Sequence, residues 1–189
     1  MAFDPGSLPP AALASLLAAG TFVLVEDEGG HLSSTTGGAV IEAGPGAVRQ
    51  VLEDFARYRE WVPQLTRSEV LGKKGGATDV GFTLSFRFAV FSKNVNYSIR
   101  YKRKSEDRLE WEGLDGDLEE NRGAWSLVSL DRGRRTAAFY SFYVDLSGLG
   151  SMVKMALKAS PQMEVAIASS TAVLVTRALK ARVELAEKG

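Results

Sequence analysis

Apolar and polar positions alternate along this chain with two different periods, and the switch between them marks out its elements. "DVGFTLSFRFAVF" places Phe82, Leu84, Phe86 and Phe88 on one face and Gly81, Thr83, Ser85 and Arg87 on the other. "NVNYSIRYKRK" sets Val95, Tyr97, Ile99 and Tyr101 against Asn94, Asn96, Ser98, Arg100 and Lys102, and "RLEWEG" sets Leu109 and Trp111 against Glu110 and Glu112. A period of two, apolar on one side only, predicts half-buried antiparallel strands. Two further strands are expected in "LEENRGAWSLVSL" and "TAAFYSFYVDL". The segments "GKKGGATD", "KSEDR", "GLDGD" and "DRGRR" carry the turn chemistry between them.

Helical periodicity governs the flanks. "AALASLLAA" predicts a short helix closed by Gly20, after an irregular arm rich in proline over residues 1–10. "TFVLVED" and "HLSSTTGGAVIEA" then read as an extended pair. In "GPGAVRQVLEDFARYREWVP", Pro45 suits a first helical turn, and Val48, Val51, Leu52 and Phe55 recur at helical spacing. Tyr58, Trp61 and Val62 continue that stripe until Pro63 ends it, so two short helices or one bent helix are expected, with Asp54 as an internal cap. After "SGLGS" a short helix over 152–159 meets a long one over 161–187, with Ser160 and Pro161 as N-cap and first-turn residue. The long helix carries a narrow polar stripe of Ser169, Thr176, Arg177, Lys180 and Glu184 on an otherwise apolar surface.

These elements predict an α+β fold: a curved antiparallel sheet whose apolar face wraps the long C-terminal helix, the only element long enough to cover it. The 189 residues suit one domain, 1–189, in which 1–20 form the arm and short helix and 21–189 the core.

Composition narrows the chemistry. Lys plus Arg equals Asp plus Glu at 23 each, which argues against a nucleic-acid partner. No cysteine is present, so disulfides, zinc–thiolate sites and a cysteine nucleophile are excluded. The lone histidine, His31, precedes a polar strand and reads as a surface residue. The apolar runs within "AALASLLAAG" are too short to span a bilayer and lack the preceding basic segment of a signal peptide. A soluble, cytoplasmic protein is expected, with an exported form whose leader has been removed left open. No phosphate loop, nucleophile elbow or zinc-helix motif occurs. Neither a cofactor nor a metal is therefore expected.

The element order resembles that of the START-like (SRPBCC) helix-grip superfamily, which includes polyketide cyclases and coenzyme Q-binding-type proteins. The likeness runs from about Leu32 to Glu184 and rests on three stretches. "VIEAGPGAVRQVLEDFARYREWVPQLTRSEVL" is similar to the family's opening, "NRGAWSLVSLDRGRRTAAFYSFYVDL" to its late hairpin with a Gly-x-Trp-x-Leu strand, and "TRALKARVE" to its terminal helix. The resemblance implies a cavity between sheet and helix that holds an apolar or amphipathic small molecule. It carries fold better than function.

On that basis the expected ligand-binding residues are Phe82, Phe86, Tyr97, Trp111, Trp125, Tyr140 and Phe142 on the strands. On the helix they are Met163, Ile167 and Thr171. The small residues Ala168, Ala172 and Ala178 facing large aromatics are compatible with tight interdigitation or with open volume. Met152, Met155 and Met163 can fill core or adapt to a ligand, and Tyr58 and Trp61 can cap the core or close the cavity. Acid–base chemistry would need ionisable groups inside the cavity, whereas Arg87, Arg100 and Arg122 fall on the polar alternation and read as facing water. Glu110, Glu112, Glu119 and Glu120 read as a salt-bridged sheet surface rather than a metal site. Binding or transport of a hydrophobic molecule (lipid, isoprenoid quinone or polyketide-like) therefore ranks first. A cyclase or aromatase ranks second, and an interaction module with a filled core third. The basic "RYKRKSEDR" admits a transient membrane-surface contact.

Overall fold

Eight antiparallel strands form one continuous sheet in the order β1-β2-β8-β7-β6-β5-β4-β3. The structure, a computed structural model, describes residues 5–18, 20–29, 31–88, 91–160 and 162–187, without the side chains at 6, 10, 14, 86–88 and 91. The strands are β1 (Phe22–Glu28), β2 (His31–Ile41), β3 (Leu65–Lys74), β4 (Ala77–Phe88), β5 (Phe91–Ser105), β6 (Arg108–Gly116), β7 (Asn121–Leu130) and β8 (Arg135–Val144). Helices α1 (Pro10–Leu17), α2 (Pro45–Glu53), α3 (Ser151–Ala159) and α4 (Gln162–Ala186) complete the described elements, with short 3₁₀ turns between them.

β3 to β8 follow one another as hairpins; the alternating pattern predicts β4 to β8, whereas β3, exposed along nearly its whole length, carries no such alternation and is not among the expected strands. The long-range step is β2 against β8, which pairs Thr35 with Phe142 and Ile41 with Thr136. That pairing brings the first hairpin to the far side of the meander and leaves one concave apolar face. Phe82, Val95, Ile99, Tyr101, Leu109, Trp111 and Trp125 are buried on it. The opposite face is covered in part by α1, whose Leu13 and Leu17 pack with Leu130, Ala137 and Phe139 in a second, smaller cluster.

The helical segment between β2 and β3 divides at Asp54. α2 ends at Glu53, and a 3₁₀ turn follows over Phe55–Glu60. The expected capping by Asp54 is corrected: the residue sits at the junction, but its side chain makes no capping hydrogen bond and lies 3.6 Å from Arg57 instead. At the start of α4, the Met163 amide donates to the Ser160 carbonyl at 3.0 Å. The Ser160 hydroxyl reaches only the Gln162 side chain, at 3.4 Å, and Pro161 lies outside the described residues. Among the described residues of the anticipated arm over 1–10, Pro5–Ser7 form a 3₁₀ turn, and the helix begins at Pro10.

α4 does not cover the sheet evenly. It packs chiefly on β2, with further contacts to β1, β8 and α2. Its C-terminal half is anchored: Leu179 and Val183 are buried with Val48 and Leu52 of α2. The Lys180 ammonium donates to the Val40 carbonyl at 2.7 Å, and the Glu42 amide donates to Glu184 at 2.9 Å. Contact with β2 is close because Gly37 has no side chain: a Cβ there would lie 2.7 Å from the Ala172 carbonyl oxygen and 2.6 Å from the Thr176 hydroxyl. This corrects the polar stripe expected on α4, since Thr176 is fully buried against β2. Among the described residues, no helix is long and apolar enough to cross a membrane.

Candidate functional site

Beneath the N-terminal half of α4, over Met163 to Val175, the sheet curves away and leaves a cavity of about 470 Å³. The reason is geometric: α4 is fixed to β1, β2 and β8, while β3 to β6 curl past it. The interior surface is a lattice of rings. Phe55 stacks on Tyr101 at 4.4 Å between centroids, and Tyr101 meets Trp111 at 6.0 Å. Trp111 stacks on Tyr140 at 5.4 Å, and Tyr140 touches both Trp125 and Phe142 at 4.7 Å. Phe82 bridges Tyr58 and Tyr97 at 5.9 and 5.5 Å. Trp111 can lie flat over β7 because residue 123 is glycine, where a Cβ would fall 2.2 Å from the indole ring.

Of the residues expected at the site, Phe82, Tyr97, Trp111, Trp125, Tyr140, Phe142, Met163, Ile167 and Thr171 all line this cavity. The side chain of Phe86 lies outside the described residues. Among those the sequence reading did not single out for the site, Leu84, Val95, Ile99, Asn121 and Glu164 also line it. The alternation pattern already held Leu84, Val95 and Ile99 on the inward face. Asn121 and Glu164 carried no such signal. The small residues of α4 divide: Ala172 interdigitates with Gly37, whereas Ala168 lines the cavity. Tyr58, Trp61 and Pro63 also line it, so the end of the 3₁₀ turn closes the cavity and caps the core at once. The methionines divide as well: Met163 lines the cavity, but Met152 and Met155 are 63% and 68% exposed on α3 and fill neither core nor site.

The polar groups fall into two sets. Some are already satisfied by the protein. The Tyr58 hydroxyl donates to the Leu52 carbonyl at 2.5 Å and also interacts with the Tyr101 hydroxyl. The Trp111 indole N–H donates to Asn121 Oδ1 at 3.0 Å, and the Thr171 hydroxyl donates to the Ile167 carbonyl at 2.8 Å. Tyr97 and Tyr140 differ: neither hydroxyl has a hydrogen-bond partner among the described residues. Burial pushes the phenols of Tyr58, Tyr97, Tyr101 and Tyr140 well above their ordinary range, so all four stay neutral at physiological pH.

At the mouth the charges are mostly acidic. Burial, then the neighbouring Asp145, raises Glu164, with His31 acting weakly in the other sense. Burial, then Asp145 and Glu164, raises the Tyr143 phenol, against the Arg122 guanidinium 4.6 Å over its ring. No arginine or lysine lines the cavity among the described residues. The nearby cation on the inward alternation, Lys93, is tied to Asp117 at 3.3 Å and to the Leu149 carbonyl at 3.4 Å. Arg100 is held by two hydrogen bonds to Asp79 on the outer face. Glu110 pairs with Lys104 and Arg108, and Glu120 with Arg122. Among the described residues, no three potential ligating side chains gather as a metal site.

A curved antiparallel sheet gripping a C-terminal helix over an apolar cavity defines the START-like helix-grip class. Residues 41–171 match the model of the family described as polyketide cyclase/dehydrase and lipid transport, and the chain belongs to that family. No curated protein matches it in sequence. Solved structures share the fold at low identity. A Thermus thermophilus protein is 17% identical with a TM-score of 0.65, covering 83% of this chain and 100% of its own. A STAR-related lipid transfer protein from Xanthomonas axonopodis is 17% identical with a TM-score of 0.64, covering 86% and 93%. The Zhui aromatase/cyclase of a Streptomyces species is 15% identical with a TM-score of 0.60, covering 82% and 94%.

Proposed function

We propose that the chain binds and carries a hydrophobic small molecule in the cavity beneath α4. The observation that supports this is the open volume itself: about 470 Å³, walled by aromatic and aliphatic side chains, in place of a filled core. A volume of that size falls in the range of roughly 300–1,000 Å³ typical of small-molecule sites. Burial of apolar ligand surface, at about 25 cal/mol per Å² gross, supplies the driving force. The residues proposed to contact it are those named from the sequence, Phe82 to Thr171, joined by Tyr58, Trp61 and Tyr101. The fold class contributes the expectation of a ligand, and the similar lipid-transfer protein points the same way. The third ranked role, an interaction module with a filled core, lacks its structural condition.

A cyclase is the second reading, and the phenols lining the cavity favour it, since the neutral hydroxyls of Tyr97 and Tyr140 can donate hydrogen bonds to a carbonyl. Carriage ranks above it because carriage needs only the cavity, whereas ring closure also needs a positioned base. The test is native mass spectrometry of the protein purified from cells, followed by solvent extraction. A stoichiometric apolar compound is expected. A clean unliganded mass, with no thermal shift across lipid and polyketide panels, would overturn the reading.

A further inference from the structure

The basic run on either side of the β5–β6 turn is neutralised by the protein's own carboxylates. Arg100 pairs with Asp79, Arg103 with Glu53, and Lys104 and Arg108 with Glu110. Little charge is left there to attract an anionic surface. α3 is built the other way. No acidic residue occurs between Asp145 and Glu164, and Lys154 and Lys158 have no ion pair among the described residues. The two lysines stand one turn apart and form one stripe. Met152, Met155 and Ala159 recur at helical spacing in a second stripe beside it, and the two methionines are 63% and 68% exposed. Val153, Ala156 and Leu157, on the opposite side, are only half-buried, so no residue of the helix is buried. α3 lies on the molecule rather than in it, and its main contacts are with the turn Ser147–Leu149 and with α4. Its place relates it to the cavity. Leu146 and Leu149, just before α3, line the cavity, and so do Met163 and Glu164, just after it. The helix is attached at both ends to the cavity wall. Its nine residues span about 14 Å, too little surface for the roughly 800 Å² per partner that a stable protein interface buries. A bilayer demands neither that area nor a matched shape. An apolar stripe that sinks into the headgroup boundary, with lysines at the phosphates, suffices for weak, reversible binding.

We infer that α3 docks the chain on an anionic membrane surface through Met152 and Met155, with Lys154 and Lys158 against the lipid phosphates, and so brings the cavity to the bilayer. The β5–β6 turn, whose basic composition points to such a contact, takes no part. Docking involves no bound ligand, so it stands or falls apart from the carrier reading, to which it adds a place of exchange.

Vesicle flotation tests this, with phosphatidylcholine alone and with phosphatidylcholine containing about 30% phosphatidylserine. Saturable binding is expected, about tenfold tighter to the anionic vesicles and lost in about 0.5 M salt. Lys154→Gln with Lys158→Gln should remove that preference, and Met152→Ser with Met155→Ser should weaken binding about tenfold. Lys102→Gln with Lys104→Gln, at the β5–β6 turn, should leave binding unchanged. All six side chains are exposed, so each variant should melt at the parent's temperature. Quenching of Trp61, Trp111 and Trp125, which line the cavity, by a hydrophobic probe should likewise match the parent. No vesicle binding, equal binding to the two lipid compositions, or loss through the β5–β6 pair in place of α3 would overturn the inference. So would a concentration-dependent dimer that the Met152→Ser, Met155→Ser chain no longer forms, since the apolar stripe would then be a self-interface.

Discussion

Thr176 and Thr35 are fully buried, and neither hydroxyl has a hydrogen-bond partner among the described residues. A buried hydroxyl left unpaired destabilises a fold, so an isosteric methyl should improve it. Thr176→Val is expected to raise stability by about 1 kcal/mol, read as a higher urea midpoint at unchanged slope. Gly37 behaves in the opposite way. A Cβ there would meet the backbone carbonyl of Ala172 at 2.7 Å, and a helix backbone cannot swing aside as a flexible side chain can. Gly37→Ala should cost about 1–3 kcal/mol by forcing α4 away from β2, measured by the same denaturant titration. Individual residues were unevenly legible. The inward positions of Tyr97, Trp111 and Tyr140 follow from a period of two. The burial of Thr176 does not, because a threonine on a helix surface carries no sign of the glycine that will face it.

At the scale of elements, α4 is one helix with two duties. Its C-terminal half is buried against β2 and α2, and its N-terminal half roofs a cavity. Leu179→Ala, in the anchored half, should cost about 2–5 kcal/mol, whereas Met163→Ala, beside the open volume, should cost under half as much. Paired chemical denaturation curves decide this. The mouth is held by a clamp between β5 and the segment after β6. The Asn96 amide donates to Asp117 Oδ2 at 2.8 Å, the Asp117 amide donates to the Asn96 carbonyl at 2.7 Å, and Lys93 completes the set. The Asn96 amide first, and Lys93 second, hold the Asp117 carboxyl below the usual carboxylate range. A carboxyl lowered in the folded state adds stability above its unfolded value of about 4, and that contribution is lost as pH falls through the folded value. Asp117→Asn should therefore lower stability at pH 7 and flatten the loss seen on acidification below about pH 4, as followed by thermal melts across pH.

For the whole molecule, the cavity is a departure from the close packing of ordinary interiors. A side chain that fills it should exclude a ligand and leave the fold intact. Thr171→Phe projects a ring into the volume under α4, and it should abolish quenching by hydrophobic probes with little change in melting temperature. Sequence pattern alone determined every strand but β3, the helices, the apolar concave face and the gripping arrangement, because periodicity of two and of 3.6 is set by local backbone geometry and by which face water must avoid; β3 is exposed along nearly its whole length and carries no such alternation. The ring-bearing residues 82, 97, 111, 125, 140 and 142 were legible for that reason. Only the tertiary structure decided that α4 docks to one side, on β2, and stands clear of β4 to β6. That asymmetry arises from the pairing of β2 with β8 and from the contact at Gly37, both made between residues about a hundred or more positions apart. Only the tertiary structure, too, distinguished Met163 in the cavity from Met152 and Met155 in solvent, and the engaged phenols from the free ones. Such differences depend on where neighbouring elements stop, and hydrophobic periodicity carries no record of a space left unfilled.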